Sequence, residues 1–203
     1  STGYFEAHGE LFRPSEPLQL KPLDYFVEKA TTCKKHFVSH VKVYQMESVV
    51  QSELSKRAFL EGLLEQGWQF IYLKRRNRLK HLFSSVRAQE SSIYHTETVL
   101  PAFTTTVNCF QFKHGVKQLE KWEAEEQELL ENLPYLTIEY ERDLENERSH
   151  AATINTILDY VELPHRPFAT KLKKVVRGEL KSIITNYDEF AEEMRAAGYG
   201  EYL

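Results

Sequence analysis

The stretch that decides the reading is Phe70 to Ser92, FIYLKRRNRLKHLFSSVRAQESS. Near its start is a short apolar run, Ile71 to Leu73 within the strand expected over Gln69 to Leu73, with the length and composition of a buried strand. A basic turn of Lys74, Arg75 and Arg76 follows. Beyond it Leu79, Leu82, Phe83 and Val86 recur at spacings of three and four, the period of a helix. In open α/β sheets, ligands bind at the carboxyl ends of strands, where helix N-termini present free backbone N–H groups. Arg75, Arg76 and Arg78 stand at that junction, and a guanidinium holds a phosphate through two parallel hydrogen bonds. Positive charge at a helix N-terminus opposes the macrodipole, a conflict that a bound anion relieves. Ser84 lies eight residues after Arg76. That is about two helical turns, so its hydroxyl reaches the same anion if the arginine folds back along the helix. A solvated surface helix flanked by arginines has the same composition, and composition alone leaves both readings open.

On either side the pattern alternates. Phe37 to Met46 and Leu136 to Tyr140 are rich in β-branched and aromatic residues and read as strands, the shorter one buried. Helical spacing runs over Ser48 to Gln66, with Gly67 placed to end it, then Asn77 to Glu90, Val116 to Leu133 and Glu147 to Val161. Thr170 to Ile184 and Asp188 to Ala197 complete the set, with Gly198 at the position of a C-terminal cap. Strands alternating with helices of this length predict an α/β fold with a largely parallel sheet. No repeat and no low-complexity linker divides the 203 residues, which predicts one domain over 1–203.

With 41% hydrophobic and 12% aromatic residues, the composition excludes intrinsic disorder. The longest charge-free run, Thr98 to Phe112, is too short and too polar to span a bilayer, and no signal peptide is visible, so a cytoplasmic protein is expected. The net charge of −4 argues against general nucleic-acid binding. The charge is unevenly distributed. Lys74 to Arg87 holds six Lys or Arg and no acid, Arg166 to Lys181 holds six against Glu179, and Glu120 to Glu147 holds eleven acids. Two basic clusters in a net acidic chain point to a local site for a small polyanion. Cys33 and Cys109 are too few for a disulfide framework or a CxxC zinc site, and a single bridge between them stays open. The eight histidines show no metal-binding spacing, so no metal is expected.

Tyr72-Leu-Lys-Arg-Arg-Asn-Arg-Leu-Lys-His-Leu-Phe-Ser84 resembles the 3′-phosphate-binding strand–loop–helix of sulfotransferases that use 3′-phosphoadenosine-5′-phosphosulfate. Arg76, Asn77, Leu79 and Ser84 match its Arg-Asn-x-Leu and the helical Ser eight residues after the Arg. A helix continuing into Ala88, then Tyr94 and His95, looks like the bacterial carbohydrate-sulfotransferase branch. Ile138-Glu-Tyr-Glu-Arg-Asp-Leu144 is similar to the family's apolar-Tyr-Glu-x-Leu strand end, with one residue inserted before Asp-Leu. Leu158 to Pro164, Ile184 to Glu189 and Gly198 to Leu203 follow in the family's order, so the resemblance covers about Gly9 to Leu203.

It implies a three-layer fold like that of P-loop NTPases, a central, largely parallel sheet flanked by helices. It implies as well transfer of a sulfuryl group to a hydroxyl of a carbohydrate or natural-product acceptor. Arg76 and Ser84, with Arg75, would hold the 3′-phosphate, Tyr140 would contact the adenine, and Lys171 and Lys173 would cover the nucleotide. Glu10 aligns with the carboxylate base of some family members, with His8 beside it and His40 as a substitute. In-line sulfuryl transfer requires no metal in principle. The family's opening strand, Arg-x-Gly-[Ser/Thr]-[Ser/Thr] phosphate loop and helix have no counterpart in these residues. The alternative, a non-catalytic nucleotide-binding or interaction module of the same fold, rests on that difference.

Overall fold

The computed structural model describes residues 5–10, 22–49, 55–94, 96–98, 100, 103–170, 173–174 and 178–203. These mix helices and strands and fall into two compact units. One is drawn from 1–73, 122–138 and 143–169, the other from 74–121, 139–142 and 170–203.

In the first unit, β1 (Phe5–Glu10) pairs parallel with β2 (His36–His40), Phe5 opposite His36 and Glu10 opposite His40. The register slips between Ala7 and Glu10, so β1 carries an extra residue there, a bulge. β3 (Phe70–Lys74) pairs with β4 (Tyr135–Glu139) in a second two-stranded sheet. The described strands thus form two separate pairs rather than the single central sheet that alternation predicts. Nor is β3 the buried strand that its composition suggests. Ile71 and Leu73 are exposed, Leu73 at 54%, while Phe70, Tyr72 and Lys74 turn inward, the alternation of a strand covered on one face.

The expected strand from Phe37 to Met46 ends at His40, and Val43–Val49 is a helix, α2. The Gln45 side chain accepts a hydrogen bond from the Lys42 backbone N–H at 3.0 Å, half of a capping box that overrides the β-branched sequence. Pro22–Thr31 forms α1, which periodicity missed, with Pro at its first position and Asp24 in its first turn. α3 (Lys56–Glu65) begins under a Ser55 side-chain cap and ends where Gly67 turns left-handed at φ +81°. The Gly67 N–H then reaches Leu64 O and the Trp68 N–H reaches Leu63 O, which closes the last turn. Phe26, Met46, Phe59 and Leu63 are the core of this unit, with Phe37 and Trp68 against them. Its rings meet edge to face, Phe26–Phe59 at 5.5 Å and Phe37–Trp68 at 5.5 Å.

The second unit is built on α4 (Arg78–Ser91), with α5 (Cys109–Leu130, counted here as far as Lys121), α7 (Leu180–Ile183) and α8 (Tyr187–Ala196). α6 (His150–Tyr160) belongs to the first. α5 starts seven residues before the apolar period that begins at Val116, because Asn108 Oδ1 caps the Gln111 N–H. Leu79, Phe83, Phe112, Val116, Ile183, Phe190 and Met194 form its core. α4 and α5 approach closely at Gly115, where a Cβ would stand 2.7 Å from Leu82 Cδ2. A helix over Thr170 to Ile184 is not formed. Lys173 bridges antiparallel to Thr96, and Gly178 sits at φ +95°, outside helical geometry, so helix is confined to Leu180–Ile183 among the described residues. The loop before α5 is tied to the start of α8 by the Asn186 amide, which donates to Val107 O and accepts from the Val107 N–H.

Candidate anion-binding site

The junction of β3 and α4 and the residues after β4 come together in the second unit. β3 ends at Lys74, Asn77 is the N-cap of α4, and its Oδ1 accepts from the Lys80 N–H at 2.8 Å. Asn77 also donates through Nδ2 to Tyr202 O at 3.0 Å, while Arg78 Nη1 donates to the Tyr202 hydroxyl at 2.7 Å. Asn77 and Leu79, two of the four residues that carry the family resemblance, therefore have structural work: one caps the helix and the other is fully buried.

β4 gives way at Tyr140 to a π turn, Tyr140–Leu144. A π turn winds more residues into each turn than an α-helix does. It carries Glu141 to the start of α4, where its carboxylate accepts the backbone N–H of Arg76 and of Asn77, each at 2.9 Å. Burial pushes the Glu141 carboxyl up, but those N–H groups and the nearby Arg75 guanidinium more than offset it and hold it below the ordinary range. The anion that the helix N-terminus calls for is thus supplied by the chain itself.

Arg75 and Ser84 stand beside this turn, with Arg75 Nε 3.9 Å from the Glu141 carboxylate. The Arg75 guanidinium lies over the Tyr140 ring at 4.5 Å and its Nη1 stands 3.4 Å from Ser84 Oγ, so it is Arg75 that folds back along α4. Its side chain is 21% exposed. Arg76, which the spacing paired with Ser84, is 71% exposed and lies 4.0 Å from Glu139. Tyr140, expected against an adenine, carries the Arg75 guanidinium on its face. The Lys173 backbone N–H donates to Thr96 O at 2.8 Å. His8 and Glu10 belong to β1, and their side chains, like Lys171 and His95, lie outside the described residues.

Sequence reasoning missed Glu141, whose role depends on a contact across more than sixty positions. It also missed the aromatic support of Arg87, which lies over Phe103 at 3.9 Å. No helix among the described residues is long and apolar enough to cross a membrane. No family model matches the chain, no curated protein is similar to it, and no solved structure resembles it.

Proposed function

We propose that the chain binds 3′-phosphoadenosine-5′-phosphosulfate and transfers its sulfuryl group to a hydroxyl of a carbohydrate or natural-product acceptor. The observation that carries this reading is the Arg75 guanidinium and the Ser84 hydroxyl side by side on a strand–turn–helix whose cap is already complete. Both groups donate to a phosphate oxygen, and the Tyr140 ring keeps the guanidinium turned toward Ser84. Arg76, exposed beside them, is free to swing onto the same 3′-phosphate. In the transfer step the bond between sulfur and the 5′-phosphate oxygen breaks as the acceptor oxygen bonds to sulfur. The acceptor proton passes to a base, for which Glu10 is the candidate and His8 the alternative. A carboxylate is ionised at neutral pH and needs no large pKa shift to accept that proton.

Calorimetry with 3′-phosphoadenosine 5′-phosphate tests the binding half. Arg75→Ala and Ser84→Ala should each lower affinity, the arginine by about 2–4 kcal/mol. Adenosine 5′-phosphosulfate, which lacks the 3′-phosphate, should bind wild type and Arg75→Ala about equally. Unchanged affinity in a folded Arg75→Ala protein removes the site. For the chemical half, Glu10→Gln should lower kcat about 10²–10⁴-fold with nucleotide affinity intact. Nucleotide binding without turnover on any hydroxyl acceptor would leave the non-catalytic reading.

A further inference from the structure

One turn beyond Ser84, α4 presents a second arginine. Positions 80, 84, 87 and 91 fall within about 60° of arc on a helix of 3.6 residues per turn. Lys80, Ser84, Arg87 and Ser91 are all half-buried, a polar stripe running beside the buried Leu79 and Phe83. Lys80 is engaged with Glu179 at 3.3 Å, and the Ser91 hydroxyl donates to Arg87 O. Arg87 differs. Its guanidinium carbon is 3.9 Å from the centre of the Phe103 ring, and Phe103 is itself stacked on Phe83 at 5.9 Å with 22° between the planes. The guanidinium is therefore held on an aromatic platform anchored in the core. Its Nε is shielded from solvent with no hydrogen-bond partner, and no carboxylate lies within ion-pair distance among the described residues. An ordered, partly desolvated cation with an unsatisfied donor costs stability unless something answers it.

We propose that Arg87 is the second guanidinium of the anion site, so that Arg75 and Arg87 hold one phosphate-class dianion over Ser84 from its two sides. Residues three apart on a helix have Cβ atoms about 5–6 Å from each other, within reach of one phosphate group. Arg75 already touches Ser84 from the loop side, and Arg87 follows Ser84 by three residues on the same stripe of α4. Two forks match two negative charges, and the aromatic supports, Tyr140 for one and Phe103 for the other, fix both in advance. This rests on the reading that an anion binds at Arg75 and Ser84.

The test uses the full chain, ¹⁵N-labelled, with inorganic phosphate as the first probe and 3′-phosphoadenosine 5′-phosphate as the second. Phosphate should move the Nε–Hε signals of Arg75 and Arg87 with the same midpoint. Arg87→Lys, which keeps the charge and loses the fork, should weaken both probes about tenfold with an unchanged melting temperature. An Arg87 signal that stays still at phosphate saturation while Arg75 moves overturns the inference and leaves the Arg75–Ser84 site standing. Stillness in both overturns both. If both move, but the nucleotide binds no tighter than phosphate, the two-arginine site holds and the nucleotide reading falls.

Discussion

The first turn of α4 and its middle both carry arginine, and the fold treats them differently. At the N-terminus the helix start is answered from within the protein: Glu141 takes two backbone N–H groups, Asn77 caps, and Tyr202 receives both Asn77 and Arg78. Farther along α4, Arg87 is held by the Phe103 ring, and Arg75, which reaches Ser84 over the Tyr140 ring, keeps the Glu141 carboxylate 3.9 Å from its Nε. Rings orient a cation without neutralising it. The difference separates charge that the fold uses from the charge of Arg87, which meets no carboxylate within ion-pair distance among the described residues.

Substitutions should split along that line. The largest effect on stability is expected at Glu141. Glu141→Ala strips two charge-assisted bonds from a carboxylate only 15% exposed and should cost about 3 kcal/mol in urea denaturation. Asn77→Ala removes a cap and the bond to Tyr202 and should cost about 2 kcal/mol by the same measurement.

Acid should blur the contrast. The Glu141 carboxyl is held below its ordinary range, so its contribution is whole above the unfolded value of about 4.3 and is lost as the pH falls through the lower folded value. The stability gap between wild type and Glu141→Gln should therefore be wide at neutral pH and shrink on acidification below that window. A gap that stays constant would mean the carboxylate charge is irrelevant. At the small end, Arg76→Ala and Ser84→Ala should change stability by no more than about 0.5 kcal/mol while still weakening phosphate binding. A large stability loss at Ser84 would return that residue to the structural side of the comparison.

The parts legible in the sequence were those fixed by neighbours along the chain. Asn77 before a 3.6-residue period, Gly67 after one helix and Gly198 after another placed α4, α3 and α8 to within a residue or two at those ends. Local rules also failed locally. Val43 and Tyr44 have strand composition, yet Gln45 bonds back to Lys42 and starts a helix, a capping signal that carries no weight in a β-branched run. The apolar composition of β3 said nothing of its pairing, which among the described residues is with β4 alone, so burial was overread at Ile71 and Leu73. Within the candidate site, spacing paired Ser84 with Arg76, whereas the side chain beside Ser84 is that of Arg75. Which of Arg75 and Arg76 folds back is set by Tyr140, sixty-five residues beyond Arg75, and no local pattern encodes that contact.

The Glu141 contact has a consequence for which substitutions each position tolerates. It engages the main chain of Arg76 and Asn77 and makes no use of the Arg76 side chain. As far as that contact is concerned, position 76 accepts any residue with an N–H, and proline alone is forbidden. A deep substitution scan scored only for folding should find position 76 permissive, position 77 limited to good caps and position 141 nearly fixed. Any further restriction at position 76 that emerges when the same library is scored for phosphate binding measures function free of the fold.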